Sequence, residues 1–122
     1  MRYALVLVLL SLPAAAEERH VFHGTWGTQA QCVGEPIKPG GSVKAAPYVI
    51  GPEWLRHGQT WCRLDWFPIE PREGGLFSGA HAHCGEDAVR SYLLGMNLAR
   101  GELTLRWNLF TSAGPLSRCP AR

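Results

Sequence analysis

Apolar and polar residues alternate along two neighbouring stretches near the C-terminus, which is typical of a β-hairpin with one buried face. The apolar face comprises Tyr92, Leu94, Met96 and Leu98 on the first stretch and Leu103, Leu105, Trp107 and Leu109 on the second. Arg100 and Gly101 between them predict a two-residue turn, because glycine readily adopts a positive φ. Counting from this turn pairs the second set with the first in reverse order, beginning with Leu103 opposite Leu98. A shift by one residue would mix the two faces, so the register is well specified.

A second hairpin is predicted in the middle of the chain, from residues 60–69 and 76–84 joined by a loop at 71–75. We expect Glu70 to oppose Leu76 across this loop. The facing pairs would then be Cys62 with Cys84, Leu64 with Ala82, and Trp66 with Ala80. A packed core favours such pairing of large with small residues. The register therefore predicts a disulfide between Cys62 and Cys84.

The remaining elements are predicted from shorter signals. Strands are expected at residues 21–30 and 43–50 and at Leu116 to Cys119, loops or turns at 35–41 and 85–87, and one helical turn at 52–55. This gives six or seven strands and no long amphipathic helix. The chain is therefore predicted to be all-β, as a small antiparallel up-and-down barrel or a two-sheet sandwich.

The N-terminus has the layout of a signal peptide. Arg2 precedes the apolar run from Tyr3 to Leu12, Pro13 interrupts it, and three alanines then precede Glu17. Ten apolar residues are too few to span a bilayer as a helix. We therefore expect residues 1–16 to be cleaved, and residues 17–122 to form one exported domain, periplasmic or secreted, with no membrane span.

Four cysteines in a short exported chain indicate a disulfide framework. Since Cys62 is assigned to Cys84, Cys32 and Cys119 remain to form the second disulfide. Zinc ligation is the alternative, but zinc sites usually contain closely spaced cysteine pairs, whereas these cysteines lie at least 22 residues apart.

Composition argues against several kinds of partner. The 122 residues contain 12 lysines and arginines and 10 acidic residues, and removing Arg2 leaves 12 − 1 = 11 basic residues against the same 10. Without a basic patch, nucleic acid and anionic membranes are not expected as partners. We expect a monomer.

Asp65, His81 and His83 form the first candidate site. Residues two apart on a strand share a face, and the hairpin register sets Asp65 opposite His81. Two imidazoles and a carboxylate could bind Zn²⁺ or Cu²⁺. The alternative is a solvent-facing Asp–His pair, which Arg63 favours because its charge repels a cation.

A hydrolase site is not expected. Ser78, His81 and Asp65 have the residue types of a catalytic triad, but the register places Ser78 on the inner face and His81 on the outer one. No nucleophile-elbow motif is present. The histidines at positions 20 and 23 are expected to lie in a solvated tail. The sequence therefore predicts a protein that is not an enzyme.

An aromatic face is the remaining candidate. Trp61, Arg63, Phe67 and His83 are expected together on the outer face of the middle hairpin. Exposed aromatic and arginine side chains frequently anchor protein interfaces. Alternatively, Trp54 or the first loop covers these rings. This face predicts a non-catalytic binding protein whose partner is a protein or a cell-envelope component.

Two resemblances bear on these expectations. Gly24-Thr25-Trp26 resembles the Gly-x-Trp on the first strand of lipocalin-like barrels and of some bacterial protease-inhibitor barrels, in which the tryptophan closes one end of the barrel. The order of Trp26 and the four cysteines is similar to that in small exported four-cysteine β proteins of α-proteobacterial type, a group without an assigned activity. The first resemblance implies an inhibitor-like role in binding a protein.

Overall fold

The computed structural model describes residues 19–34, 46–85, 90–107 and 111–120, which form an all-β domain. The strands are β1 (Gly24–Gly27), β2 (Tyr48–Ile50), β3 (Trp54–His57), β4 (Thr60–Trp66), β5 (Glu70–Arg72), β6 (Gly75–Cys84), β7 (Arg90–Ala99), β8 (Glu102–Arg106) and β9 (Ser112–Arg118). A 3-10 turn, η1 (His20–Phe22), precedes β1, and a short helix, α1 (Gln29–Val33), follows it. The predicted signal peptide at 1–16, the predicted loop at 35–41 and the rest of the predicted turn after Gly85 lie outside the described residues.

The strands close into a barrel. Consecutive strands from β1 to β4 pair antiparallel, β4 pairs with β6, and β9 returns to β1. β5 is an additional short strand beside the start of β6, so the barrel wall contains eight strands. The all-β prediction is confirmed, and the barrel alternative is the correct one. The total exceeds the predicted six or seven because several strands are only three or four residues long.

Two of the shorter predictions are wrong. The predicted helical turn at 52–55 instead leads into β3, where Leu55 pairs with Cys62 and is buried. The barrel wall needs a strand here, because without β3 one edge of β2 and one edge of β4 would have no hydrogen-bonding partner. The strand predicted at 21–30 is reduced to β1, with η1 before it and α1 after it.

The C-terminal hairpin has the predicted register near its turn. Leu98 pairs with Leu103, and both turn residues have positive φ, 53° at Arg100 and 83° at Gly101. Pairing ends at Gly95 and Arg106. Beyond that point the ring centroids of Tyr92 and Trp107 lie 6.0 Å apart, and Tyr92 is partly exposed rather than buried. Leu109 lies outside the described residues.

The middle hairpin confirms the predicted pairing of Cys62 with Cys84, but its loop differs. Glu70 pairs with Phe77 rather than Leu76, and the strands continue to a turn at Glu73 and Gly74. Four residue steps separate Trp66 from Glu70, whereas three separate Phe77 from Ala80. The one-residue offset falls at 67–69 between β4 and β5, as in a β-bulge, and Ile69 there is partly buried against the core.

The barrel interior is filled by side chains. The buried set is Phe22, Trp26, Tyr48, Ile50, Leu55, Cys62, Leu64, Ala80, Ala82, Cys84, Leu94, Met96, Leu103, Leu105 and Leu116. Both predicted disulfides are confirmed, Cys62–Cys84 across β4 and β6 and Cys32–Cys119 between α1 and the residue after β9. Because side chains fill the interior, the outer wall is the surface on which a ligand or partner could bind.

Candidate functional site

The predicted site residues lie on the outer wall formed by β4 and β6. Side chains alternate along each strand, and the inward positions of β4 contribute Cys62 and Leu64 to the core. The outward positions are Trp61, Arg63, Asp65 and Phe67 on and just after β4, and His81 and His83 on β6. We call these six residues the β4–β6 face. The predicted orientation of this hairpin is therefore correct.

Trp61 stands at one end of the β4–β6 face and is 50% exposed. Its ring centroid lies 5.2 Å from that of Trp54, and the Arg56 guanidinium lies 5.3 Å from the Trp61 ring. Trp54 itself lies close over Gly51, where a Cβ atom would come within 2.2 Å of the indole. Trp54 therefore flanks Trp61 without covering it. The result is an aromatic and cationic platform on the barrel wall.

Polar side chains occupy the middle of the β4–β6 face. Asp65 Oδ2 lies 3.0 Å from His83 Nε2 and 3.5 Å from Arg63 Nη2. The His81 ring meets the Phe67 ring edge-on, with ring centroids 4.9 Å apart. Asp65 is thus paired with His83 and Arg63, whereas the register alone suggested His81.

This arrangement bears on the metal hypothesis. Among the described residues, no group of three His, Cys, Asp or Glu side chains is placed to hold a metal ion. Asp65 already contacts the Arg63 cation. The Zn²⁺ or Cu²⁺ site at Asp65, His81 and His83 stays a prediction, which isothermal titration with each ion would test.

Phe67 lies at the far end of the β4–β6 face and is half-buried. Its ring packs on the backbone of Gly79, where a Cβ atom would lie 2.9 Å from Phe67 Cδ2. Gly79 pairs with Gly95 on β7. Phe67 therefore does not join Trp61, because Arg63, Asp65 and the histidines lie between the two rings.

Sequence analysis missed an open groove beside Phe67. Its volume is about 990 Å³, and Phe67, Phe77, Leu93 and Arg106 are among the residues that line it. Leu93 is 61% exposed. The sequence did contain a signal for this groove, because Gly79 and Gly95 lie within strands. Glycine in a strand often marks a site where a ligand or another chain segment approaches the backbone closely. We call this feature the glycine groove.

Ser78 does not form a triad with the residues considered for catalysis. It is fully buried on the inner face of β6, and its hydroxyl lies 3.3 Å from the carbonyl oxygens of Phe67 and Gly79. His81 and Asp65 lie on the opposite side of the wall. The hydroxyl instead supports the β-bulge that follows Phe67.

The segment before β1 packs against the barrel core and is not the predicted solvated tail. Phe22 is buried, and Trp26 Nε1 donates to its carbonyl oxygen at 2.9 Å. The Arg118 guanidinium lies 4.3 Å from the Trp26 ring and donates to the carbonyl oxygens of Val21 and His23. Burial of the imidazole is the main cause of a lowered pKa at His23, and electrostatic repulsion from His20 and then Arg118 lowers this pKa further. His23 therefore belongs to the packed part of the domain.

The fold defines a class, a closed eight-stranded antiparallel barrel with two disulfides and a filled interior. Comparison of the chain with protein-family models, curated proteins and solved structures finds no match. Within the described ranges, no helix is long and apolar enough to cross a membrane.

Proposed function

We propose that this chain is an exported, non-catalytic binding protein that recognises a protein or cell-envelope partner through the β4–β6 face. The single observation that carries the proposal is Trp61, a half-exposed indole flanked by Trp54 and Arg56 on a wall that needs none of them for its core. Tryptophan and arginine are the residues most enriched at energetically important positions of interfaces.

Two further features support this proposal. The interior is packed with side chains, so the barrel is better suited to binding on its outside than inside. Trp26 is fully buried and donates to the Phe22 carbonyl oxygen, and the resemblance of Gly24-Thr25-Trp26 to lipocalin-like and protease-inhibitor barrels implies that it closes one end of the barrel. That resemblance favours an inhibitor-like role, in which the wall covers part of another protein.

Export is the second half of the proposal. The signal-peptide pattern at 1–16 motivates it, and two disulfides among all four cysteines suit an oxidising compartment such as the periplasm. N-terminal sequencing of the protein from a periplasmic or culture fraction should begin at Glu17. Recovery of an uncleaved cytosolic chain with free thiols would contradict export.

Trp61→Ala tests the binding half. We expect the thermal melting of the variant to match that of wild type, because the indole is half-exposed. We also expect the variant to lose partners that wild type captures from periplasmic extract, as identified by mass spectrometry. Truncation of a central interface residue typically weakens binding by about 2 kcal/mol or more, roughly thirtyfold. Val33→Ala is the matched control, since Val33 is equally exposed but lies on α1.

Two results decide the test. Capture that Trp61→Ala loses and Val33→Ala retains supports the proposal. Unchanged melting together with unchanged capture by Trp61→Ala would remove its basis.

A further inference from the structure

The glycine groove has a floor of bare backbone. Gly79 on β6 and Gly95 on β7 are directly paired, so two adjacent outward positions lack side chains. The Phe67 ring lies against Gly79 and the Phe77 ring against Gly95, where a Cβ atom would lie 3.4 Å from Phe77 Cε1. Leu93 projects on the same outer face of β7 and is the most exposed large apolar residue among those described. The groove is therefore mainly apolar and open.

The charges at its rim have one sign. Arg106 pairs with Gly95 across β7 and β8, is exposed, and makes no ion pair with the described part of the chain. Arg72 lies with its guanidinium 4.6 Å from the Phe77 ring and is paired with Glu70 at 3.0 Å. The described residues that line the groove include these two arginines and no carboxylate. An anionic group is the complementary partner.

We infer that the glycine groove binds an acidic peptide segment of the partner protein, with an apolar side chain over the two glycines and a carboxylate beside Arg106. An apolar side chain can occupy the space above Gly79 and Gly95, where the wall has no side chains. A neighbouring carboxylate supplies the ion-pair partner that Arg106 lacks among the described residues. An extended segment fits better than a compact ligand, because the groove is open and crosses three strands. Phe67 belongs both to this groove and to the β4–β6 face.

The inference rests on the proposed binding function and gives the chemistry of the partner. The probe is a synthetic, end-capped hexapeptide that alternates aspartate with phenylalanine, titrated into the disulfide-bonded mature chain with NMR detection of backbone amides. We expect the amides of Gly79, Leu93 and Gly95 to shift. Matched peptides with lysine in place of aspartate, or serine in place of phenylalanine, should bind at least about tenfold more weakly.

Variants locate the site. Arg106→Glu should weaken binding of the acidic peptide about tenfold or more, and Leu93→Ser should also weaken it. Arg100→Glu is the charge control, because Arg100 lies in the turn between β7 and β8, and neither it nor its chain neighbours line the groove. Val33→Ser is the apolar control. Both controls should bind like wild type, and melting curves establish that every variant is folded.

Three outcomes would overturn the inference: equal binding of the lysine peptide, unchanged binding by both Arg106→Glu and Leu93→Ser, or binding of laurate but not of the peptide. The last result would indicate a small amphiphile instead of a protein. If Trp61→Ala abolishes capture of a partner that Arg106→Glu and Leu93→Ser retain, the groove inference fails while the proposed function stands. Loss of capture in all three variants supports both.

Discussion

Arg118 shows how one side chain can hold the segment before β1 against the barrel. Its guanidinium covers Trp26 and donates to two backbone carbonyl oxygens of the segment that carries Phe22. Charged donors strengthen such hydrogen bonds. The resemblance carried by Gly24-Thr25-Trp26 drew attention to Trp26, but nothing in the sequence indicated its contact with Arg118, because 92 residues separate the two in the chain.

His23 should make the stability of the barrel dependent on pH. Its Nε2 atom is buried without a hydrogen-bond partner among the described residues, and burial is the main cause of its lowered pKa. In the unfolded chain the imidazole titrates near 6.5. Below that pH the unfolded chain binds more protons than the folded one, so this contribution to stability is complete above 6.5 and is lost as the pH falls toward the lowered folded pKa.

Urea unfolding at about pH 7.5 and about pH 5 measures this effect. The free energy of unfolding should fall less from the higher pH to the lower pH in His23→Gln than in wild type. His81→Gln, at an exposed position, should behave like wild type. An identical loss in His23→Gln and wild type would show that His23 does not contribute.

At the scale of elements, the pairing of β4 with β6 depends on matched side-chain size. Trp66 and Leu64 face Ala80 and Ala82, and this pattern was sufficient to predict the cysteine register. The β-bulge before β5 was not predicted, because alternation is interrupted there for only one residue. Its offset lies between the loop and the cysteines, so the loop pairing was wrong while the disulfide pairing was right.

Ala82→Leu should destabilise the barrel. Ala82 is fully buried opposite Leu64, so three additional carbon atoms must displace packed neighbours. Such overpacking typically costs about 1–3 kcal/mol of the free energy of unfolding. Chemical denaturation at constant pH measures it.

Ser117→Leu is the control for this substitution, because Ser117 is exposed on β9. Its effect should stay within about 0.5 kcal/mol. Equal stability of Ala82→Leu and wild type would mean that the barrel interior near Ala82 is not close-packed.

At the scale of the whole molecule, the barrel closes through a narrow seam. β1 and β9 pair at only two positions, Trp26 with Arg118 and Gly27 with Ser117. Beside this seam, Cys119 N donates to Thr25 O at 2.8 Å, and Cys32–Cys119 links the chain covalently. The second disulfide therefore compensates for a short strand pairing.

Removing Cys32–Cys119 by double alanine substitution should destabilise the barrel more than removing Cys62–Cys84. The two disulfides close loops of 87 and 22 residues. The chain-entropy relation gives about 4.6 kcal/mol for the longer loop and about 3.4 kcal/mol for the shorter one. Denaturation of the two double variants measures the difference, and the reverse order would contradict this account of the seam.

The sequence by itself determined the all-β class, the two faces of the middle hairpin and of the C-terminal hairpin near its turn, and the Cys62–Cys84 pairing, from which Cys32–Cys119 followed by elimination. These features follow from alternation with a period of two and from the size of facing residues, which are local properties. Tertiary structure alone decided the closure of β9 on β1 and the glycine groove. The closure joins Trp26 to Arg118, 92 residues apart. The groove needs three segments in register: Gly79 and Gly95 adjoin only because β6 pairs with β7 in one register, and Phe67 lies over Gly79 because the chain after β4 bonds to β6 there.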